Sequence, residues 1–173
     1  MKHLKFLLIA FLMTSCGTIV NYDYEKSTDF STYKTYNYFD DMKTGLSELD
    51  TKRLVRVMDK KLLAMGFSRT DHPDFYIDIQ SESIVNRNNS SVGVGVGGGS
   101  GGGFGGVSVG IPVGQNKQSR VLIIDFVDET KTGLFWQAIS ESSYNPNASP
   151  EKREAIFAKI IDKVFAEYPP QQD

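Results

Sequence analysis

Alternation of apolar and polar residues is the feature that most restricts the folds open to this chain. Phe75, Ile77 and Ile79 alternate with more polar neighbours in residues 74–85. A period of two places successive side chains on opposite faces of a strand, so this strand is half-buried. Composition and spacing predict further strands in residues 18–25, 35–39, 120–129 and 134–142. A sheet with one apolar face needs other elements to cover that face.

Two stretches instead carry apolar residues at steps of three and four, the spacing of one helix face. Ser47 is placed to cap the first helix and Gly66 to end it, while Ser149 and Pro150 begin the second. The first stripe consists of Leu46, Leu49, Leu54, Val57, Met58, Leu62 and Met65. The second consists of Ile156, Phe157, Ile160, Ile161, Val164 and Phe165. The charged residues that lie largely off the first stripe, and predict a solvated face, are Lys52, Arg53, Arg56, Asp59, Lys60 and Lys61.

The order of these elements predicts the fold class. Strands, a helix, more strands and a last helix indicate an α+β domain in residues 30–170, with an antiparallel sheet and both amphipathic helices packed on one face. The chain has a single cysteine, Cys16, so no disulfide within the chain supports this fold. The hydrophobic core must therefore stabilise the domain.

The first residues differ from the rest of the chain. Lys2 and Lys5 precede the apolar run FLLIAFLM, and Cys16 follows shortly after it. The run is too short to cross a bilayer, and its pattern is that of a secretory signal. It resembles a bacterial lipoprotein signal in residues 1–15, although Met13 stands where leucine is commonest. The resemblance implies a lipid on Cys16, with residues 16–29 as a tether that enters a first strand. A plain secretory signal with an incidental cysteine is the alternative.

Residues 92–114 hold 12 of the 16 glycines. Gly93, Gly95 and Gly98 fit a phosphate-binding pattern, but no helix pattern follows to complete such a site. A linker is a second interpretation, which the alternating valines on both sides of the glycine run weaken. We favour a β-hairpin insert with a glycine-rich tip. The residues expected to contact a partner are Val94, Val96, Phe104, Val107 and Val109.

Residues suited to catalysis or metal binding are few. His72, with Asp71 and Asp74, forms a weak metal-site candidate in what is more simply a solvated turn. Asp125 and Asp128 are candidates for the paired carboxylates of a hydrolase, although Asp128 also opens a turn and Asp125 favours the exposed face of its strand. We expect no catalytic residues, no metal and no cofactor. The net charge of -2 and the missing Walker motif argue against nucleic acid and nucleotide as partners.

Several segments together resemble the DUF4136 family of bacterial envelope lipoproteins. They are DFSTYKTYNYF, LLAMGFSRTDHPDFYIDI, RVLIIDFVDETKTGLFWQAIS and IIDKVFAEYPP. The resemblance covers most of the chain after Cys16, apart from the glycine-rich insert. It implies an envelope lipoprotein of unknown molecular role and supplies no catalytic residues.

These observations lead to one expected function with alternatives. The expected protein has a binding or structural role in the cell envelope and is held by a lipid on Cys16. The outer membrane, with the body facing the periplasm, is the expected location, and an envelope protein is the expected partner. The alternatives are a hydrolase that uses Asp125 and Asp128, and a carrier with a small-ligand pocket between sheet and helices.

Overall fold

The computed structural model describes residues 18–85, 118–131 and 133–171. Within these ranges a sheet of six strands packs with two helices. In chain order the elements are β1 (Ile19–Tyr24), β2 (Thr35–Tyr38), α1 (Glu48–Ala64), β3 (Ser68–Arg69), β4 (Phe75–Val85), β5 (Gln118–Asp128), β6 (Gly133–Tyr144) and α2 (Pro150–Val164). A short 3₁₀ turn, Phe30–Thr32, precedes β2. The α+β class is confirmed, while the predicted hairpin insert in residues 92–114 lies outside the described residues.

The sheet is mixed, so the prediction of an antiparallel sheet is wrong at one edge. The strand order is β1-β6-β5-β4-β2-β3, and β1, β6, β5 and β4 pair antiparallel. Strand β2 instead runs parallel to both β3 and β4. Helix α1 lies between β2 and these two strands in the chain, and a helical crossover can return the chain in the same direction. The alternation of residues reports strands but not their direction.

Both helices begin, and α1 ends, where the sequence predicts. Ser47 accepts a hydrogen bond from the Asp50 amide, and Ser149 accepts one from the Lys152 amide. Gly66 follows α1 with a φ of +92°. One residue of the predicted stripe is misplaced, because Leu49 in the first turn of α1 is 63% exposed.

The core lies between the two helices and one face of the sheet. Alternate strand residues and the helix stripes join in one buried cluster that includes Leu54, Met58, Ile77, Ile124 and Ile161. Aromatic rings fill its centre: Tyr33 stacks on Phe135 at 4.3 Å, and the Phe126 and Trp136 centroids lie 4.7 Å apart. These contacts hold the helices on this face of the sheet.

The other face of the sheet is here called the outer face. Because directly opposite residues share a face, the strand registers assign its members. They are Ile19, Asn21 and Asp23 of β1, Leu134, Gln137, Ile139 and Glu141 of β6, Val121, Ile123, Asp125 and Val127 of β5, and Tyr76, Asp78, Gln80, Glu82 and Ile84 of β4. Most of these side chains are exposed or only half-buried.

Candidate functional site

The two carboxylates proposed for hydrolysis lie on opposite faces of the sheet. Burial alternates along β5, so Asp125 belongs to the outer face and Asp128 to the core face. Asp128 is only 1% exposed. The structure therefore does not bring the two carboxylates together, and they line no common site.

Asp128 organises the turn between β5 and β6. Its carboxylate accepts hydrogen bonds from the Thr130 amide at 2.8 Å and from the Lys131 amide at 3.2 Å. Tyr33 donates its hydroxyl proton to the same carboxylate at 3.0 Å. Burial opposes ionisation of Asp128, but the bonds from Thr130 and Tyr33 outweigh it, so the pKa of this carboxyl lies below its ordinary value. This is the turn-capping role that the sequence suggests.

Asp125 belongs to a polar row that crosses four strands of the outer face. Asp23, Gln137, Asp125 and Asp78 stand directly opposite one another on β1, β6, β5 and β4. Gln137 donates a hydrogen bond to Asp125 at 2.8 Å, which partly satisfies that carboxylate. Burial, and secondarily the nearby charge of Asp78, raise the pKa of Asp125. The row was not predictable, since sequence spacing does not reveal which residues face each other across strands.

The predicted weak metal site does not assemble around His72. The Asp74 carboxylate is already engaged, because it accepts hydrogen bonds from the Lys34 and Thr35 amides, both at 2.8 Å. These bonds tie the turn to the start of β2. In the described part of the chain, no cluster of His, Cys, Asp or Glu side chains is arranged to hold a metal ion.

An ion-pair network that sequence reasoning missed joins the first turns of the two helices. Asp50, 2% exposed, accepts hydrogen bonds from Arg53 and from Arg153, each at 2.7 Å. Burial disfavours the Asp50 charge, but the two guanidinium groups outweigh it and lower the pKa of this carboxyl. Only the Arg53 contact follows a recognisable helical spacing.

The predicted solvated face of α1 is also partly engaged. Asp59 accepts hydrogen bonds from the Tyr36 hydroxyl at 2.8 Å and the Tyr38 hydroxyl at 2.9 Å. Arg69 lies 3.5 Å from the same carboxylate. Asp59 and Arg53 are therefore internal contacts rather than free surface charges.

The space expected for a small-ligand carrier is filled. Aromatic side chains occupy the region between sheet and helices in the described residues. A cleft of about 490 Å³ lies instead at the edge of the sheet, between β1 and the segment after α2. Its lining includes Tyr22, Tyr24, Glu167 and Pro170, with the edge of the buried Trp136 at its base.

Two groups of predicted functional residues lie outside the described residues. They are the lipidation residue Cys16 and the expected partner contacts Val94, Val96, Phe104, Val107 and Val109. Within the described ranges, neither helix has the length and apolarity needed to cross a lipid bilayer.

Comparison with known families classifies the chain. Residues 20–170 match the family described as a domain of unknown function, DUF4136. The chain belongs to the DUF4136 family. This DUF4136 match includes all of β1 except Ile19 and extends past the end of α2. Comparison with curated proteins gives no match.

Solved structures similar to this DUF4136 chain support the fold alone. A PDZ domain protein from Parabacteroides distasonis superposes with a TM-score of 0.54 at 13% identity, covering 90% of this chain and 37% of that protein. This chain therefore spans well under half the length of that protein. A PelC dodecamer from Paraburkholderia phytofirmans superposes with a TM-score of 0.51 at 10% identity, covering 90% of this chain and 100% of that one.

Proposed function

We propose that this DUF4136 protein is a lipid-anchored envelope protein with a binding or structural role. Cys16 carries the lipid, and the body faces the periplasm from the outer membrane. The lipoprotein-like signal before Cys16 supports the anchor. No run of acidic residues of the kind that resembles a surface-export signal directly follows Cys16, which favours the periplasmic side.

One structural relationship carries the proposal. Ile19 at the start of β1 pairs with Glu141, which in turn pairs with Val121. Three positions before Val121, at the start of β5, Gln118 pairs with Val85, so the glycine-rich segment is inserted at this same end of the sheet. Cys16 precedes Ile19 by three residues, which span at most about 10 Å. The anchor and the insert therefore belong to one end of the body, here called the anchor end.

The start of β1 is fixed to α2 rather than hanging free. Lys163 donates from Nζ to the Thr18 carbonyl at 2.8 Å, and Tyr22 donates its hydroxyl proton to the Lys163 carbonyl at 2.6 Å. Little chain is left to act as a tether between Cys16 and these contacts. A lipid on Cys16 would hold the anchor end close to the membrane surface.

The partner is proposed to be an envelope protein near that surface. The contact residues are those of the glycine–valine segment, led by Val94, Val96 and Phe104 and completed by Val107 and Val109. Their insertion between Val85 and Gln118 supports a contact close to the membrane.

Intact-mass measurement of the protein from its own host tests the anchor. The expected product begins at Cys16 and carries acyl chains. A chain that still begins at Met1, or a free Cys16 thiol, would exclude the proposal.

Photo-crosslinking in intact cells tests the orientation. Ile84 and Leu134 are both exposed apolar residues of the outer face, at 40% and 50%. Their β5 partners, Ser119 and Val127, stand eight positions apart, about 26 Å along the strand. We expect a crosslinker at position 84 to capture lipid or an envelope protein and the matched crosslinker at 134 to capture neither. Equal capture from both positions would contradict the orientation.

A further inference from the structure

Arg120 is a buried arginine without a carboxylate partner in the described residues. It lies on the core face of β5 and is 9% exposed. Its guanidinium carbon stands 3.7 Å from the centroid of the Tyr144 ring, while its Nε atom is buried and makes no hydrogen bond. Arginine keeps its charge at any ordinary pH, and a buried N–H group without an acceptor costs free energy. The Nε–H group therefore calls for an acceptor, and an anion suits the charged guanidinium best.

The rest of the sequence does not supply that anion. Residues 86–117, which adjoin Arg120 in the chain, contain neither Asp nor Glu. Asp173 stands two residues beyond Gln171, which lines the cleft beside Trp136. Trp136 is six positions along β6 from Ser142, the partner of Arg120, a distance of about 20 Å. Two residues reach about 7 Å, so Asp173 is too far away.

The space beside Arg120 is a small crevice with excess positive charge. Its lining includes Asp50, Arg120, Tyr144, Arg153, Phe157 and Ile160. The cavity volume of about 20 Å³ admits one water-sized group. The Asp50 carboxylate already accepts hydrogen bonds from Arg53 and Arg153, and Arg120 forms no ion pair with it. The first turn of α2 adds the partial positive charge of a helix N-terminus. These features suit one anionic oxygen.

The crevice lies at the anchor end. Arg120 pairs with Ser142, one position from the Glu141 that pairs with Ile19. Because a guanidinium fork matches the oxygens of a phosphate group, the most abundant matching anion at this position is a lipid headgroup.

We propose that the Arg120 crevice binds a phosphate oxygen of a phospholipid headgroup in the membrane that holds the anchor. This inference rests on the proposed function, because the anchor is what brings the crevice to the headgroups. Binding would supply the buried guanidinium with its missing counterion and would fix how the body stands on the membrane.

The test uses full-length protein in dodecyl maltoside, a phosphate-free detergent. Dihexanoyl phosphatidylglycerol is titrated below its micelle concentration, and the Arg120 Nε–H resonance and the dissociation constant are measured. We expect the resonance to shift, and Arg120→Met to weaken binding at least about tenfold. Arg120→Lys keeps the charge without the fork and should fall in between. The control is Arg56→Met, since Arg56 is an exposed arginine paired with Glu154; its binding should match that of the wild type.

Separate titrations with inorganic phosphate and sodium acetate distinguish the source of the anion. If inorganic phosphate binds as tightly as the lipid, the assignment to a lipid headgroup is wrong. If acetate binds more tightly than the lipid, the natural ligand is instead a protein carboxylate. If the Arg120 Nε–H resonance of the wild type does not shift with any of these anions, Arg120 is not an anion site. This result does not depend on whether the variants fold. The probe is added without a host membrane, so this result is independent of the mass of Cys16, which tests the anchor.

Discussion

Asp50 and Arg153 join the two helices although they lie 103 positions apart in the chain. Their 2.7 Å ion pair links the first turn of α1 to the first turn of α2, and the Asp50 side chain is almost fully buried. Arg53 shares the same carboxylate. Since both helices cover one face of the sheet, this contact fixes how their N-terminal ends meet above it.

Removing the Asp50 charge should destabilise the fold. Asp50→Asn leaves two guanidinium groups around a neutral amide, and loss of one partner from a buried ion pair costs about 3–5 kcal/mol. The unfolding free energy can be followed by the fluorescence of Trp136, the only tryptophan. Glu48→Gln is the control, because the Glu48 side chain is 81% exposed and its surface ion pair with Lys52 should change the unfolding free energy far less. Similar losses in both variants would contradict a special role for Asp50.

The same network predicts a pH dependence at the acidic end. Burial opposes the Asp50 charge, but Arg53 and Arg153 outweigh it, so the folded pKa lies below the unfolded one. The stabilisation is therefore fully present above the unfolded pKa, about 3.9, and is lost as pH falls through the folded pKa. The difference in unfolding free energy between wild type and Asp50→Asn should begin to shrink near pH 4 and should close only below the folded pKa. A gap that stays constant from neutral to acidic pH would argue against this account.

Most individual elements were predictable because each leaves a local pattern. Ser47 and Gly66 mark the ends of α1, and the alternation of Phe75, Ile77 and Ile79 marks β4. The parallel pairing of β2 was not predictable, since a strand pattern is the same in either direction. Leu49 shows a second limit: its spacing fits the stripe, but Asp50 takes the buried position in the first turn of α1, and Leu49 is left exposed.

The candidate sites were less predictable than the fold because they depend on register and on distant pairs. Asp125 could be placed on the exposed face from its strand, but not beside Asp78 and Gln137, which lie on other strands. Arg120 has the opposite problem. Arg120 stands two positions before Leu122 and so belongs to the core face of β5, yet only the assembled structure shows that no carboxylate of the described residues pairs with it.

Gly45 should tolerate substitution worse than Gly133, although both have positive φ. A Cβ at Gly45 would stand 2.6 Å from the Ser81 carbonyl oxygen, whereas one at Gly133 would meet nothing within 4 Å. Gly133→Ala should cost about 1–2 kcal/mol from the left-handed backbone alone. Gly45→Ala adds the clash with a strand backbone and should cost more, about 3 kcal/mol or above. Thermal unfolding of both variants measures the difference, and equal midpoints would show that the loop before α1 moves away from β4.

Asp125 and Asp128 lie on opposite faces of β5, so the same change to Asn should have opposite effects on the stability of the fold. Asp128→Asn removes an ionised acceptor of several hydrogen bonds and should destabilise the fold by about 1–3 kcal/mol. Asp125→Asn keeps an acceptor for Gln137 and removes a charge that burial and Asp78 disfavour, so it should stabilise by about 0.5 kcal/mol at neutral pH.

The size of the Asp125 effect also depends on pH. Its pKa is raised in the folded state, so the penalty is absent below the unfolded pKa and grows as pH rises through the folded one. The advantage of Asp125→Asn should vanish near pH 3, about a unit below the unfolded pKa. Urea denaturation at both pH values measures this. An advantage that persists in acid would mean that packing, not charge, explains it.

Deleting residues 92–114 should leave the body folded. Strands β4 and β5 pair continuously from Tyr76 with Val127 to Val85 with Gln118, so their register is set without the deleted residues. The deletion leaves residues 86–91 and 115–117 to join the strands, and the unfolding free energy should change by no more than about 1 kcal/mol, the scale of the closure entropy. Trp136 fluorescence reports unfolding. The comparison variant is Asp128→Asn, at the other end of β5, which should destabilise the fold. If the deletion variant instead unfolds at a much lower temperature, the glycine-rich segment contributes to the core and its proposed role as a partner contact loses its basis.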